Sequence, residues 1–309
     1  MPYGYTGKIL HVNLTKGELN VEEPEEQFYR TYMGGSAMGL HYVLKETPAG
    51  IDALSPENVL ALCTGVVTGT PISGQSRLTS VAKSPLTGCI GDAQGGGYFP
   101  AEMKFSGYDA VIIKGKSPKP VYLWMHHGET ELRDAGHLWG LTTGDAEDKL
   151  KVELEDKRIE VLQIGPAGEN LVRFAALISM SNRANGRTGM GAVMGSKNLK
   201  AVVVRGKQRP TIAEPETFKS LQKWGTANLE ATGMDGFGKY GTPGVTVPQD
   251  KVGGLPTFNF NSGTFDKAEE IDGIKLFKEH LRGHEKDDQN RFGRDTCFSC
   301  AVKCKRVTE

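Results

Sequence analysis

Glycine is the feature that most restricts this fold. The chain has 40 glycines among 309 residues, well above the usual share of about 7%. They are clustered: Gly95-Gly96-Gly97, the pair Gly165 and Gly168, and residues 186–195. Between the clusters lie short apolar segments, so the glycines mark turns or places where backbone comes close to a ligand. Hairpin turns in a β-rich domain and a ligand-binding backbone both satisfy this pattern.

The apolar segments read as strands. Gly7-Lys8-Ile9-Leu10-His11-Val12-Asn13-Leu14 alternates with period two, and Gly17-Glu18-Leu19-Asn20-Val21-Glu22 follows a Thr-Lys-Gly turn, predicting a hairpin. Val59-Leu60-Ala61-Leu62-Cys63 is a continuous apolar run suited to a strand buried on both faces. Further strands are expected at residues 78–82, 110–114, 120–125, 161–164 and 201–204, with 129–133 pairing back across His126-His127-Gly128. Those two histidines read as solvated turn residues. Helices are expected over 27–44 with a break at Gly34-Gly35, over 98–105, over 143–154 with Thr143 as N-cap, and over 171–182. The texture changes near Lys207-Gln208-Arg209-Pro210. A helix is expected over 215–229 with Phe218, Leu221 and Trp224 inward. An irregular stretch over 232–265, a short helix over 274–281 and a polar lead into the cysteines follow. The fold class is α+β, with a β-rich domain over residues 1–206 and a more helical region over 207–309.

Lysine plus arginine equals aspartate plus glutamate, 37 each. This balance gives no support for a nucleic-acid partner. No apolar run reaches membrane-span length and the first residues carry no secretory signal, so a membrane partner is not expected and a cytoplasmic location is.

Three groups carry candidate chemistry. Cys297-Phe298-Ser299-Cys300-Ala301-Val302-Lys303-Cys304 is C-x2-C-x3-C. A short turn can present three thiolates to an iron–sulfur cluster, which takes a fourth from elsewhere. The residues alone leave a zinc ion and free thiols open as well. Cys63 and Cys89 read as small core residues. Gln94-Gly95-Gly96-Gly97 runs into a helix and suits an anion, yet it is neither G-x-G-x-x-G nor a P-loop. A tight turn without a ligand explains it equally. Arg183-Ala184-Asn185-Gly186-Arg187 joins two arginines to open backbone, a phosphate-binding pattern whose bland reading is a surface loop. Arg77, by itself, is an ordinary exposed arginine.

Taken in order, Gly7 to Thr15, Leu54-Ser55-Pro56-Glu57-Asn58, Lys83-Ser84-Pro85-Leu86-Thr87-Gly88, Gly95-Gly96-Gly97-Tyr98-Phe99 and Lys104-Phe105-Ser106-Gly107-Tyr108-Asp109 resemble the tungsten-containing aldehyde:ferredoxin oxidoreductases. So do Ile164-Gly165-Pro166-Ala167-Gly168-Glu169-Asn170 and the run from Gly191 to Lys200. The resemblance implies a first domain of two twisted sheets forming a saddle for two molybdopterins around one tungsten or molybdenum. Helical domains would follow. It implies pterin contacts at Gly96, Arg183, Gly186 and Arg187, and a place for Arg77 between the iron–sulfur cluster and a pterin. Gln94 and the Ala184 carbonyl would hold a magnesium ion bridging the pterin phosphates. Cys297, Cys300 and Cys304 would be three of the four ligands of a 4Fe-4S cluster. Gln94 stands where the resemblance leads to asparagine and offers the same carboxamide on a longer arm.

The implied activity is oxidation of an aldehyde to a carboxylic acid with ferredoxin as acceptor. The same fold serves reductases of aromatic thioesters, and a non-catalytic cofactor-binding or electron-transfer subunit is a further reading. The family's fourth cluster cysteine and catalytic residues would lie past Glu309, so no catalytic residue is expected here. A missing C-terminal half or second subunit is expected, the chain alone is expected to be inactive, and a homodimer is left open.

Overall fold

The computed structural model describes residues 3–308. Two compact units divide the chain: Met1–Thr70 with Gln75–Ala213, and Pro71–Gly74 with Glu214–Glu309.

The first unit begins with a hairpin, β1 (Ile9–Asn13) and β2 (Glu18–Glu22), paired antiparallel. Helices α1 (Glu26–Thr31) and α2 (Gly35–Glu46) follow. Then come β3 (Leu60–Thr64), β4 (Leu78–Lys83) and β5 (Ile90–Gly95), the short helix α3 (Phe99–Phe105), and β6 (Ala110–Lys114). These strands make one six-stranded sheet in the order β2-β1-β6-β3-β4-β5, in which only β1 and β6 run parallel.

A second six-stranded sheet uses β7 (Val121–His126), β8 (Glu129–Asp134), β9 (Glu160–Gln163), β10 (Leu177–Ser179), β11 (Arg183–Asn185) and β12 (Leu199–Arg205). Its order is β11-β10-β9-β12-β7-β8. Helix α4 (Thr143–Glu153) precedes β9, and α5 (Pro166–Glu169) and α6 (Met190–Ser196) flank β10 and β11. The mixed, largely antiparallel pairing is the two-sheet α+β architecture anticipated from the strand pattern together with the family resemblance.

Period-two alternation explains the layers. Leu10, Val12, Val111 and Ile113 of the first sheet share one core with Leu123, Met125, Val202 and Val204 of the second. The alternate residues face outward and are covered in turn. Ile9, Ala61, Cys63 and Ile112 pack under Met38, Tyr42 and Val43 of α2. Tyr122, Trp124, Val161 and Val203 pack under Leu138 and Leu150. Each strand buried on both faces therefore reads as a continuous apolar run. Full burial of each such side chain stabilises by about 1.5–3 kcal/mol.

Several local expectations fail for identifiable reasons. Residues 171–182 do not form a helix. Leu171 has a left-handed backbone (φ 57°), β10 pairs with β9 through Ile178 and Gln163, and Met180 and Ser181 turn left-handed (φ 51° and 53°) into β11. Strand pairing outcompeted a weak helical period. The N-cap of α4 is Thr142, whose hydroxyl accepts from the Asp145 amide, rather than Thr143. Cys89 is exposed, because the Ser84–Cys89 turn directs it outward, whereas Cys63 is buried. His126 ends β7, half-buried and stacked on Trp124, whereas His127 is exposed in the turn as expected.

In the second unit, α7 (Pro215–Ala227) forms as expected, but Leu221 and Trp224 are 53% and 60% exposed instead of facing inward. The stretch expected to be irregular contains α8 (Met234–Tyr240) and α9 (Thr246–Lys251). Then α10 (Gly273–Glu279) starts at Asp272, whose carboxylate caps the amides of Ile274 and Lys275. The final elements are α11 (Gln289–Phe292) and a two-strand ladder, β13 (Arg294–Asp295) with β14 (Lys305–Arg306).

The first unit also buries three lysines completely. Lys104 donates to the carbonyls of Gly4, Gly65 and Val66 and lies 3.7 Å from Asp109. Lys200 is paired with Glu169. Lys197 donates to the carbonyls of Pro56 and Gly115, and burial pulls its ammonium down to about 7 from 10.5. The unfolded chain thus binds the extra proton between pH 7 and 10.5 while the folded chain does not, so this group makes stability rise with pH across that window. Lys197→Met should flatten the rise of unfolding free energy between pH 7 and 10 relative to wild type, measured by urea denaturation. An unchanged slope contradicts the assignment.

Candidate cofactor cradle and cysteine loop

Strand β5 is the edge of the first sheet and β11 the edge of the second. The two edges meet. Gly95, the last residue of β5, has no room for a side chain: a Cβ there would lie 2.2 Å from Oδ1 of Asn185. The Asn185 amide donates to Ala93 O (2.8 Å), Leu78 O (3.2 Å) and Ser80 Oγ (3.2 Å). One buried side chain on the second sheet therefore satisfies acceptors on two strands of the first. Beyond Gly95, Gly97 takes φ +105°, and a Cβ would lie 2.9 Å from Met180 Sδ and 3.1 Å from Arg183 Cγ. Its carbonyl accepts from Ser76 Oγ at 2.7 Å.

These contacts bring the 94–97 and 183–187 loops together. In β11 the alternation buries Arg183 and Asn185 and exposes Ala184 between them. Gln94, Gly186 and Arg187 are exposed and Gly96 is half-exposed. Arg77 is also exposed, one residue before Leu78, which pairs with Gly95. All seven sequence-derived residues of this group thus sit along or beside one seam. The Arg183 guanidinium is braced by Asn182 Oδ1 at 2.6 Å. Helix α3 has only seven residues and begins at Phe99, so loop amides and arginines, more than a helix dipole, would meet an anion here. Three arginines and glycine backbone suit phosphate oxygens. Asp92, two residues before Gln94 on the same face of β5, was not singled out from sequence. Its carboxylate opposes a bare phosphate and favours one accompanied by a cation.

The cysteine loop lies in the second unit. The β13–β14 ladder closes it, and left-handed Ser299 (φ 53°) and Lys303 (φ 50°) turn it. Arg294 donates to Val302 O at 2.9 Å, Arg306 to Lys303 O and Gly238 O at 2.6 Å each, and Thr296 to Cys300 O at 2.7 Å. With its carbonyls held, Cys297, Cys300 and Cys304 are left half-exposed. Among the described residues, no three His, Cys, Asp or Glu side chains are placed around a single metal ion. A lone zinc needs its sulfurs about 2.3 Å from one point, whereas cubane thiolates bind separate irons. Three cysteines on one short loop would supply three thiolates to a cluster that takes a further ligand. Cys63 is fully buried in the core of the first unit, under helix α2.

Two family models match successive parts of the chain. The family described as "Aldehyde ferredoxin oxidoreductase, N-terminal domain" matches residues 9–206, and "Aldehyde ferredoxin oxidoreductase, domains 2 & 3" matches residues 216–309. The chain belongs to the aldehyde ferredoxin oxidoreductase family. It is 42% identical, over 99% of its length and 49% of the relative's, to the tungsten-containing aldehyde ferredoxin oxidoreductase of Pyrococcus abyssi. The tungsten-containing enzyme of Thermococcus kodakarensis is 38% identical over the same shares. The chain spans about half the length of these curated relatives. A solved structure of the active site complex BamBC of benzoyl coenzyme A reductase with 1,5-dienoyl-CoA aligns with a TM-score of 0.83 at 28% identity. It covers 100% of this chain and 48% of that one. No helix among the described residues is long and apolar enough to cross a membrane.

Asn185, like Asp92, is a member that the sequence did not single out, because residues 183–187 read as a loop and the strand Arg183–Asn185 appears only in the structure. Asn185→Ala should destabilise the first unit by roughly 2–4 kcal/mol, since it strands buried acceptors on β4 and β5. Denaturant unfolding measures this, and a loss below about 0.5 kcal/mol would contradict the role of the amide.

Proposed function

We propose that this chain is the cofactor-binding portion of a tungsten or molybdenum bis-pterin oxidoreductase that oxidises aldehydes to carboxylic acids. Ferredoxin would accept the electrons. The observation that carries the reading is the seam at Gly95 and Asn185, which gathers glycine backbone and arginines from both sheets of a family member. Arg183 and Arg187 would hold pterin phosphate oxygens, Gly96 and Gly186 would let the ligand approach the backbone, and Arg77 would face the pterin from the adjoining strand end. Gln94 and the Ala184 carbonyl would take a magnesium ion between phosphates, with the Asp92 charge favouring that cation.

Bound there, the metal–pterin group would supply the two-electron chemistry, and the chain would orient it and shield it. Cys297, Cys300 and Cys304 would hold a 4Fe-4S cluster that hands electrons on singly, with a fourth ligand from a C-terminal portion or a second subunit. Lys303 and Lys305 beside that loop are exposed and would favour an acidic ferredoxin surface. A cytoplasmic location suits an oxygen-sensitive cluster and free thiols. The benzoyl coenzyme A reductase likeness supports the fold, while the higher identity to the aldehyde enzymes favours aldehyde oxidation.

The test is cofactor content and activity of the native protein. Purified anaerobically, it should carry tungsten or molybdenum with two pterins and reduce ferredoxin when an aldehyde is added. Arg183→Ala should lower pterin affinity about 10–100-fold, the worth of one charge-assisted phosphate contact. A native protein without pterin overturns the proposal, and full pterin content in the variant removes Arg183 from it.

A further inference from the structure

Segment Pro71–Gly74 belongs to the second unit although the residues on either side belong to the first. Its ends are fixed by Gln75, which accepts from the Gly69 amide and donates to Thr70 O, both at 2.8 Å. Thr68 Oγ1 adds contacts to Gln75 O at 3.3 Å and Arg77 O at 3.4 Å. Pro71–Gly74 is the short excursion between Thr70 and Gln75.

The excursion presents one polar side chain to the cysteine loop. Ser73 Oγ accepts from the Ala301 amide at 3.0 Å and lies 3.8 Å from Cys300 Sγ. A serine hydroxyl has one proton to donate. The amide occupies the oxygen as acceptor, so the proton is free to point at the sulfur. Ser73 and Cys300 are both half-buried, which lessens competition from water. An iron-bound thiolate can only accept, so the direction of this bond is fixed once the sulfur is a ligand.

We propose that the Ser73 hydroxyl is a hydrogen-bond donor to the Cys300 thiolate that raises the reduction potential of the cluster held by the cysteine loop. Reduction adds negative charge that is shared by the cluster sulfurs and their thiolates. A donor aimed at one of them stabilises the reduced state more than the oxidised one. Ser73 is a positioning and tuning residue: it touches the ligand, not the substrate. The inference rests on the reading of the three cysteines as cluster ligands.

The experiment is a redox titration of the native protein, purified anaerobically, followed by electron paramagnetic resonance of the reduced cluster. Wild type is compared with Ser73→Ala and Ser73→Thr at equal iron content. The expected result is a midpoint shifted to more negative potential in Ser73→Ala and restored in Ser73→Thr. In resonance Raman spectra, the iron–thiolate stretching bands of wild type should shift in heavy water, and that shift should shrink in Ser73→Ala. A purely structural role would lower iron occupancy without moving the midpoint of the clusters that remain. Intact clusters with unmoved midpoint and unmoved bands overturn this inference and leave the cluster reading standing. A wild-type protein with no iron–sulfur signal overturns both.

Discussion

Everything proposed for the first unit depends on the close approach of two sheet edges at Gly95 and Asn185. Edge strands ordinarily carry unpaired backbone groups that must be covered. Here one buried amide supplies donors across the seam, and the missing Cβ of Gly95 permits the distance. The residues just outside that contact inherit its rigidity. Gly96, Gly97 and Arg183 are fixed by the same packing, so an anion would meet donors that need little reorganisation. A site built on strand ends of two sheets is held more firmly than one on a free loop.

The second unit solves a different problem. Its cysteine loop is ordered by hydrogen bonds that arginines and a threonine donate to its carbonyls and by one that its Ala301 amide donates to Ser73. With the backbone held in this way the sulfurs are half-exposed, as ligands to a metal would need to be. Pro71–Gly74 contributes to this loop from more than two hundred residues away in sequence.

The sequence was most legible where strand periodicity was strong. Strands expected within residues 7–14, 59–63 and 201–204 form over 9–13, 60–64 and 199–205, because burial sets apolar residues at alternate positions or in continuous runs. The glycine and arginine clusters were visible too, although their meeting was not, since it depends on tertiary pairing of β5 and β11. Residues 171–182 misled because a mildly apolar segment can satisfy a helix until a neighbouring strand offers better pairing. Trp224 and Leu221 misled because amphipathic spacing specifies an apolar face without specifying what covers it. Ser73 carried no local signal at all: its partners lie 227 and 228 residues away.

The central claim is that the Gly95–Asn185 seam is the floor of the metal–pterin site. The most direct measurement is a crystal structure of the native protein with anomalous data collected across the tungsten or molybdenum edge. The account predicts a heavy-metal peak with pterin density whose phosphates contact residues 94–97 and 183–187. Metal and pterin density remote from both loops, with the seam filled only by water, would contradict it.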